Sequence, residues 1–222
     1  MTELVVPDLD RLEGYVAALR AGWSPNTTRD VAGEELVALR DDAAGHLRTL
    51  RGEMPGVIRL PDGREVARLP GLVRWIWDDA FCGAINLRHQ PGTEELPAHV
   101  SGHVGYAVVP WKRRQGHATR ALSLLLPIAR ARGLRRLLIT CDEDNHPSLR
   151  VIEANGGIPD GAEPHPDRPD VRRLRFLVAT GENARDVAAI ERGRADVRAG
   201  RVVSHADVTD AARALIRSST QR

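Results

Sequence analysis

A mixed α/β domain, with helices on both faces of its sheet, is what this 222-residue sequence predicts. Three observations carry the expectation. Apolar residues recur at helical spacing up to Arg51, the period then drops to two between Val57 and Leu87, and from His103 onward a strand, helix, strand, helix, strand series follows. Such a series after an antiparallel start buries its apolar faces by covering a sheet on both sides. Hydrophobic residues at 42% are enough for a core, and aromatics at 4% make that core aliphatic in expectation.

Asp8 or Asp10 can cap a first helix that runs to Arg20 on Leu12, Val16, Ala17 and Leu19 and stops at Gly22. Ser24-Pro25-Asn26 reads as a loop. Glu34–Arg51 is a second amphipathic helix on Leu36, Leu39, Ala43, Leu47 and Leu50, ended by Pro55-Gly56. Val57–Leu60 and Glu65–Leu69 flank Pro61-Asp62-Gly63 as a short hairpin, and Leu72–Asp78 with Phe81–Leu87 forms a longer one through Asp79-Ala80. His89–Gly102 is a loop long enough to serve a function, and it carries Glu94-Glu95. His103–Val109 alternates as a strand that Pro110 ends. Gly116–Arg132 is a helix stopped by Gly133 and bent by Pro127. Arg136–Cys141 is a strand, Pro147–Asn155 a short helix capped by Asn145, and Val171–Ala179 a last strand, for a total of six or seven.

Composition narrows the chemistry. Cys82 and Cys141 lie far apart with no metal-ligand spacing, so neither a zinc site nor a disulfide framework is expected, and no metal is assigned. The 32 basic residues nearly balance 30 acidic ones, which argues against nucleic-acid binding as the main task. Every basic residue but Lys112 is arginine, and the neighbours of Lys112 match neither a Schiff-base nor a phosphate-loop lysine. No stretch reaches the roughly 20 apolar residues of a membrane helix. Asp8, Asp10 and Glu13 interrupt any leader pattern, so a cytoplasmic location and no membrane partner are expected.

The chemically telling stretch runs from Val108 to Ala118: a strand stops, a basic turn containing Gly116 follows, and a helix begins. A strand end and a helix N-terminus aim unpaired N–H groups and a positive dipole at one place, which makes an anion site. Glycine there leaves the backbone open to a phosphate.

Arg113-x-x-Gly116-x-Ala118 resembles the acyl-CoA pyrophosphate loop of the GNAT superfamily of N-acetyltransferases. Gly102–Val108 is similar to that fold's fourth strand, and Asp144–Gly157, with Asn145, Ser148 and Glu153, is similar to its N-x-x-S/A-x-x-x-x-E segment. The likeness covers Leu72–Val178 well and Met1–Gly71 more loosely. It implies a GNAT-like acyl-CoA N-acyltransferase fold with a splayed central sheet, and a bacterial enzyme that moves an acetyl group from acetyl-CoA to a primary amine. By that likeness the backbone of Gln115, Gly116, His117 and Ala118 holds the pyrophosphate and Val108 and Val109 offer backbone partners to the pantetheine arm. Asn145 contacts that arm, and Arg113 and Arg114 meet the terminal phosphates.

The family's tyrosine acid is replaced here by Ile152, so Ser148 is the expected acid. His103 is the expected base, with Tyr106 as an alternate catalyst. Strict alternation puts His103 and Tyr106 on opposite faces, so both reach one site only through a bulge. Glu94 and Glu95 are expected to attract a cationic amine.

Composition changes after Thr180, so residues 1–180 are read as the acetyltransferase domain and 181–222 as a helical extension. Residues 190–208 resemble the toxin-binding tail of bacterial antitoxins. The competing reading is therefore an interaction protein or a toxin–antitoxin-related fusion. Val197, Val202, Val203 and Val208 must be covered by the domain, by a second copy in a homodimer, or by a partner protein.

Overall fold

The computed structural model describes residues 1–60 and 63–181. In chain order the elements are β1 (Glu3–Val5), α1 (Leu12–Arg20), α2 (Ala32–Arg51), β2 (Val57–Arg59), β3 (Glu65–Ala67), β4 (Gly71–Asp78), β5 (Ala80–Arg88), β6 (Val104–Val108), α3 (His117–Arg130), β7 (Arg136–Asp142), α4 (His146–Ala154), β8 (Ile158–Pro164) and β9 (Arg172–Ala179), with a 3₁₀ turn at Pro110–Lys112.

Two sheets carry the fold. One has the order β1-β4-β5-β6, the other β7-β9-β8, and β2-β3 is a separate hairpin. Each paired ladder is antiparallel. The β4–β5 hairpin turns at Asp79, whose φ of 58° is one that aspartate tolerates better than most side chains. The two main sheets meet where β6 begins beside β7 and are joined there by His103 and Leu138. Beyond that junction the strands share no ladder, as a splayed sheet requires.

Alternation sorts the sheet faces into two cores. Ile76, Ile85, Leu87, Leu122, Leu125, Leu137, Ile139 and Ile152 form the aliphatic core shared with α3 and α4. The opposite face of the first sheet packs under α1 and α2, and here the aliphatic expectation is corrected. Tyr15, Trp23, Trp75 and Phe81 gather with ring centroids 5.1–6.0 Å apart, mostly edge to face. A low aromatic fraction thus hides a local concentration.

Several boundaries differ from the sequence reading. Asp8 accepts from the Arg11 N–H at 2.9 Å, so it shapes the turn before α1 rather than capping the helix itself. In α2, Asp42 leaves helical geometry (φ −155°, ψ 84°) and its carboxylate accepts from the Gly45 N–H at 2.8 Å. It breaks one helix and caps the next. That break brings Glu35 to within 2.6 Å of His46, eleven residues away, where a straight helix would hold them about 16 Å apart. Gly52, at φ 81°, ends α2 before Pro55 is reached.

No described helix is long and apolar enough to cross a membrane. Apart from Gly181, the extension at 181–222 lies outside the described residues, together with its antitoxin-like segment and the homodimer expectation that rests on it.

Candidate active site

The turn between β6 and α3 has the geometry of an anion cradle. Arg114 (φ 62°) and Gly116 (φ 81°) both adopt left-handed backbone, and Gly116 is the N-cap of α3 with no side chain capping the helix. The first N–H groups of α3 therefore point outward without a side-chain partner. A Cβ at Gly116 would meet nothing within 4 Å, so the space above the turn is open to a ligand. Arg113 folds back, its Nε donating to the Val108 carbonyl at 3.2 Å, while Arg114 and Gln115 are exposed. The His117 side chain is buried and contacts Thr2 Oγ1 at 2.9 Å, so it offers a ligand only its backbone N–H.

The edge of β6 is selective. The Val109 N–H donates to the Cys82 carbonyl at 3.0 Å and the Val109 carbonyl accepts from Lys112 N–H at 3.0 Å. The expectation for Val109 is thereby corrected, since both of its backbone groups serve the fold. Because backbone groups alternate along an antiparallel strand, odd-numbered residues of β6 bond β5, and Tyr106 and Val108 turn theirs toward the gap beside β7.

Tyr106 and Ser148 come together across that gap, with the two hydroxyl oxygens 2.7 Å apart. Ser148 stands in the first turn of α4 because Asn145 caps this helix, its side-chain oxygen accepting from Ser148 N–H at 3.1 Å. Burial pushes the Tyr106 phenol up to about 12 and the Cys141 thiol up to about 11, so both keep their protons at neutral pH.

His103 lies elsewhere. The β5–β6 register shows no shift, so no bulge turns His103 toward Tyr106. The imidazole is 2% exposed, and its Nδ1 accepts the Leu138 N–H at 2.9 Å while the His103 N–H donates to the Leu138 carbonyl at 2.8 Å. The side chain stands in for a main-chain carbonyl and pins the two sheets together. An accepting Nδ1 places the proton on Nε2 in the neutral ring.

Burial lowers the His103 pKa, so the unfolded chain takes up the proton first as pH falls. Stability is full above the ordinary histidine value of about 6.5 and declines as pH drops below it. His103→Ala should cost about 1–3 kcal/mol by orphaning the Leu138 N–H. His103→Asn, which keeps an acceptor, should recover most of that loss and flatten the decline between pH 6.5 and 5. Urea denaturation at several pH values checks both expectations, and equal stability of the Ala and Asn variants would refute the pinning role.

Glu94 does not line an acidic rim. It accepts from the Arg135 N–H at 2.7 Å and pairs with the Arg136 guanidinium at 3.3 Å, fastening the loop to the start of β7. Glu95 remains exposed. Sequence reasoning passed over Asn86 and Arg88, polar residues at alternate positions of an otherwise buried strand, and that i, i+2 pattern was the available signal.

Residues 62–158 match the family model of the acetyltransferase (GNAT) domain. Among solved structures, RimJ of Mycobacterium smegmatis in complex with a CoA disulfide is 20% identical, with a TM-score of 0.56 over 86% of this chain and 90% of that one. RimL, a ribosomal L7/L12 α-N-protein acetyltransferase with coenzyme A bound through a disulfide, is 14% identical, with a TM-score of 0.54 over 80% and 93%. The shared fold is what these likenesses establish. No curated protein matches the chain by sequence.

Proposed function

We propose that this chain, which carries a GNAT acetyltransferase domain match over residues 62–158 and the fold of the N-acetyltransferases, transfers an acetyl group from acetyl-CoA to a primary amine by direct attack on the thioester. The observation that carries the reading is the pairing of an open anion cradle at Gly116, beyond the end of β6, with the Tyr106–Ser148 hydroxyl pair at the middle of that strand, along an edge that no neighbouring strand covers. The N–H groups of Gln115 to Ala118 would take the pyrophosphate, Arg113 and Arg114 its outer charge, and the backbone groups of Tyr106 with the N–H of Val108, whose carbonyl accepts from Arg113, the amides of the pantetheine arm. Asn145 serves that arm through its place at the start of α4. Two residues of β6, from Val108 to Tyr106, span about 7 Å, so an arm laid along the edge from the cradle passes Ser148.

Ser148 donates a hydrogen bond to the departing sulfur, and Tyr106 holds Ser148 in that orientation. Tyr106 cannot serve as the net proton source. An alkyl thiol has a pKa of about 8.5, well below the value of about 12 for this phenol, so proton transfer from Tyr106 to the thiolate runs uphill. The pair thus stabilises developing negative charge without delivering the proton; the proton that the attacking amine loses as the amide forms passes through solvent to the departing thiolate, which leaves as the free thiol. Cys141 is protonated and largely buried, which disfavours an acyl-cysteine route and supports direct attack. His103, with Nδ1 engaged, has no geometry for proton abstraction, so His103→Asn is expected to leave the pH dependence of turnover in place.

Calorimetry with acetyl-CoA and a thiol-release assay over a panel of amines and peptides test the proposal. Micromolar binding together with amine-dependent thiol release is the expected result, and absence of acetyl-CoA binding would overturn the reading.

A further inference from the structure

On the face of β5 that looks toward α1 and α2 stands a cation with no anionic partner among the described residues. Arg88 ends β5, its backbone N–H bonded to the His103 carbonyl at 2.9 Å. Its Nε is buried and has no hydrogen-bond partner, and no acidic side chain pairs with its guanidinium among the described residues. Burial alone lowers its pKa, with no compensating charge. The neighbouring ionisable groups make matters worse: His103 and His89 share its sign when protonated, and Glu94 is held by Arg135 and Arg136. An uncompensated charge out of water is costly, so proteins that keep one commonly hold it for a ligand.

The surroundings are shaped to let an anion reach it. Asn86 lies two residues before Arg88 on the same face, and Gly105 is their neighbour on β6. A Cβ at Gly105 would come within 3.0 Å of Asn86 Nδ2 and 3.4 Å of an Arg88 terminal nitrogen, so the missing side chain is what leaves room for both groups over β6. Tyr106, one residue on, faces the opposite side, toward Ser148.

We propose that Arg88, with Asn86 beside it, binds a carboxylate of the acyl acceptor, so that the preferred substrate is an amine bearing a nearby carboxylate rather than a cationic polyamine. This inference rests on the acetyl-transfer reading above. With the leaving sulfur held at Ser148, the acceptor reaches the thioester from the α1 and α2 side, where Arg88 anchors its carboxylate and Asn86 donates a second hydrogen bond. The guanidinium fork suits a planar carboxylate. The carboxylate can belong to a free amino acid or to an acidic residue near a peptide N-terminus, and the two sources are separable.

The experiment uses two matched pairs of acceptors in the thiol-release assay: leucine against leucinamide, and the C-terminally amidated peptide Ala-Glu-Ala against Ala-Gln-Ala. A charge-assisted pair at a half-buried site predicts that kcat/KM for the acid exceeds that for the amide by about 10–100-fold in one of the two arms, chiefly through KM. Arg88→Gln should collapse that ratio toward one. Arg88→Lys should restore part of it, because charge is kept and the fork is lost. Acetyl-CoA affinity, measured by calorimetry on each variant, reports whether the fold and the acyl-donor site survive. Equal handling of acid and amide in both arms, or handling of neither, by a wild-type protein that binds acetyl-CoA overturns the role of Arg88. Failure of the wild-type protein to bind acetyl-CoA overturns the acetyl-transfer reading instead.

Discussion

Gly116→Glu is expected to abolish acetyl-CoA binding while the protein stays folded. Nothing lies within 4 Å of the position a Cβ would take, so the substitution meets no steric conflict inside the chain. Its cost to the fold is the left-handed φ of 81°, about 1–2 kcal/mol for a residue with a Cβ. The cost to the ligand is larger. The new carboxylate projects into the space the phosphates need, opposes them by charge, and competes for the free N–H groups of α3. Hydrogen bonds to charged groups contribute about 1.5–3 kcal/mol each, so losing two amounts to roughly 10²–10⁴-fold in affinity. Gly116→Ala separates the parts: it keeps the strain, lacks the charge, and should lose far less. Calorimetry decides the matter. Undiminished affinity in the Glu variant would place the acyl donor somewhere other than this turn.

Ser148→Ala should lower kcat by about 10²–10³-fold with little change in KM for acetyl-CoA, the range seen when a single donor to a developing anion is removed. Tyr106→Phe acts through Ser148 and should cost less, about tenfold. Because the two hydroxyls lie 2.7 Å apart and work as one unit, the double variant should be hardly worse than Ser148→Ala alone. With Tyr106 raised to about 12 and serine not titrating, the pair adds no limb to the pH–rate profile below about pH 10, and the limb near neutrality belongs to the acceptor amine. Additive losses would show that the hydroxyls act independently, and a Ser148→Ala variant within twofold of wild type would remove Ser148 from the reaction.

Short stretches of sequence sufficed wherever local backbone physics governs the outcome. The glycine-bearing turn before α3 is an example: only glycine adopts φ 81° there without strain, and the helix that follows supplies the N–H groups within three residues. Asn145 is another, since a cap and the amide it serves lie three residues apart. Helix and strand periods placed β4, β5, β6, β7, β9 and the helices to within a few residues. Segments without a period escaped. β1 has three residues, too few to alternate, and β8 carries Pro159, Gly161 and Pro164, tolerable because it is an edge strand whose outer N–H groups need no partner.

Roles that depend on pairing across the chain were settled only by the folded arrangement. Tyr106 meets Ser148 over a separation of 42 residues, and Glu94 reaches Arg135 over 41. In both cases the residue types were legible and the partners were not. His103 shows the limit most clearly. As a sequence it is a histidine on a strand, with a pKa suited to proton abstraction. In the fold, the Leu138 N–H, 35 residues away, occupies its Nδ1 and the surrounding core excludes water, so it joins two sheets instead. Arg88 runs the other way: alternation marks it as an ordinary strand end, and its lack of an acidic partner among the described residues becomes visible only once the fold shows Glu94 held by Arg135 and Arg136. Local propensity acts over a few residues, whereas burial and charge compensation are properties of everything packed around a group.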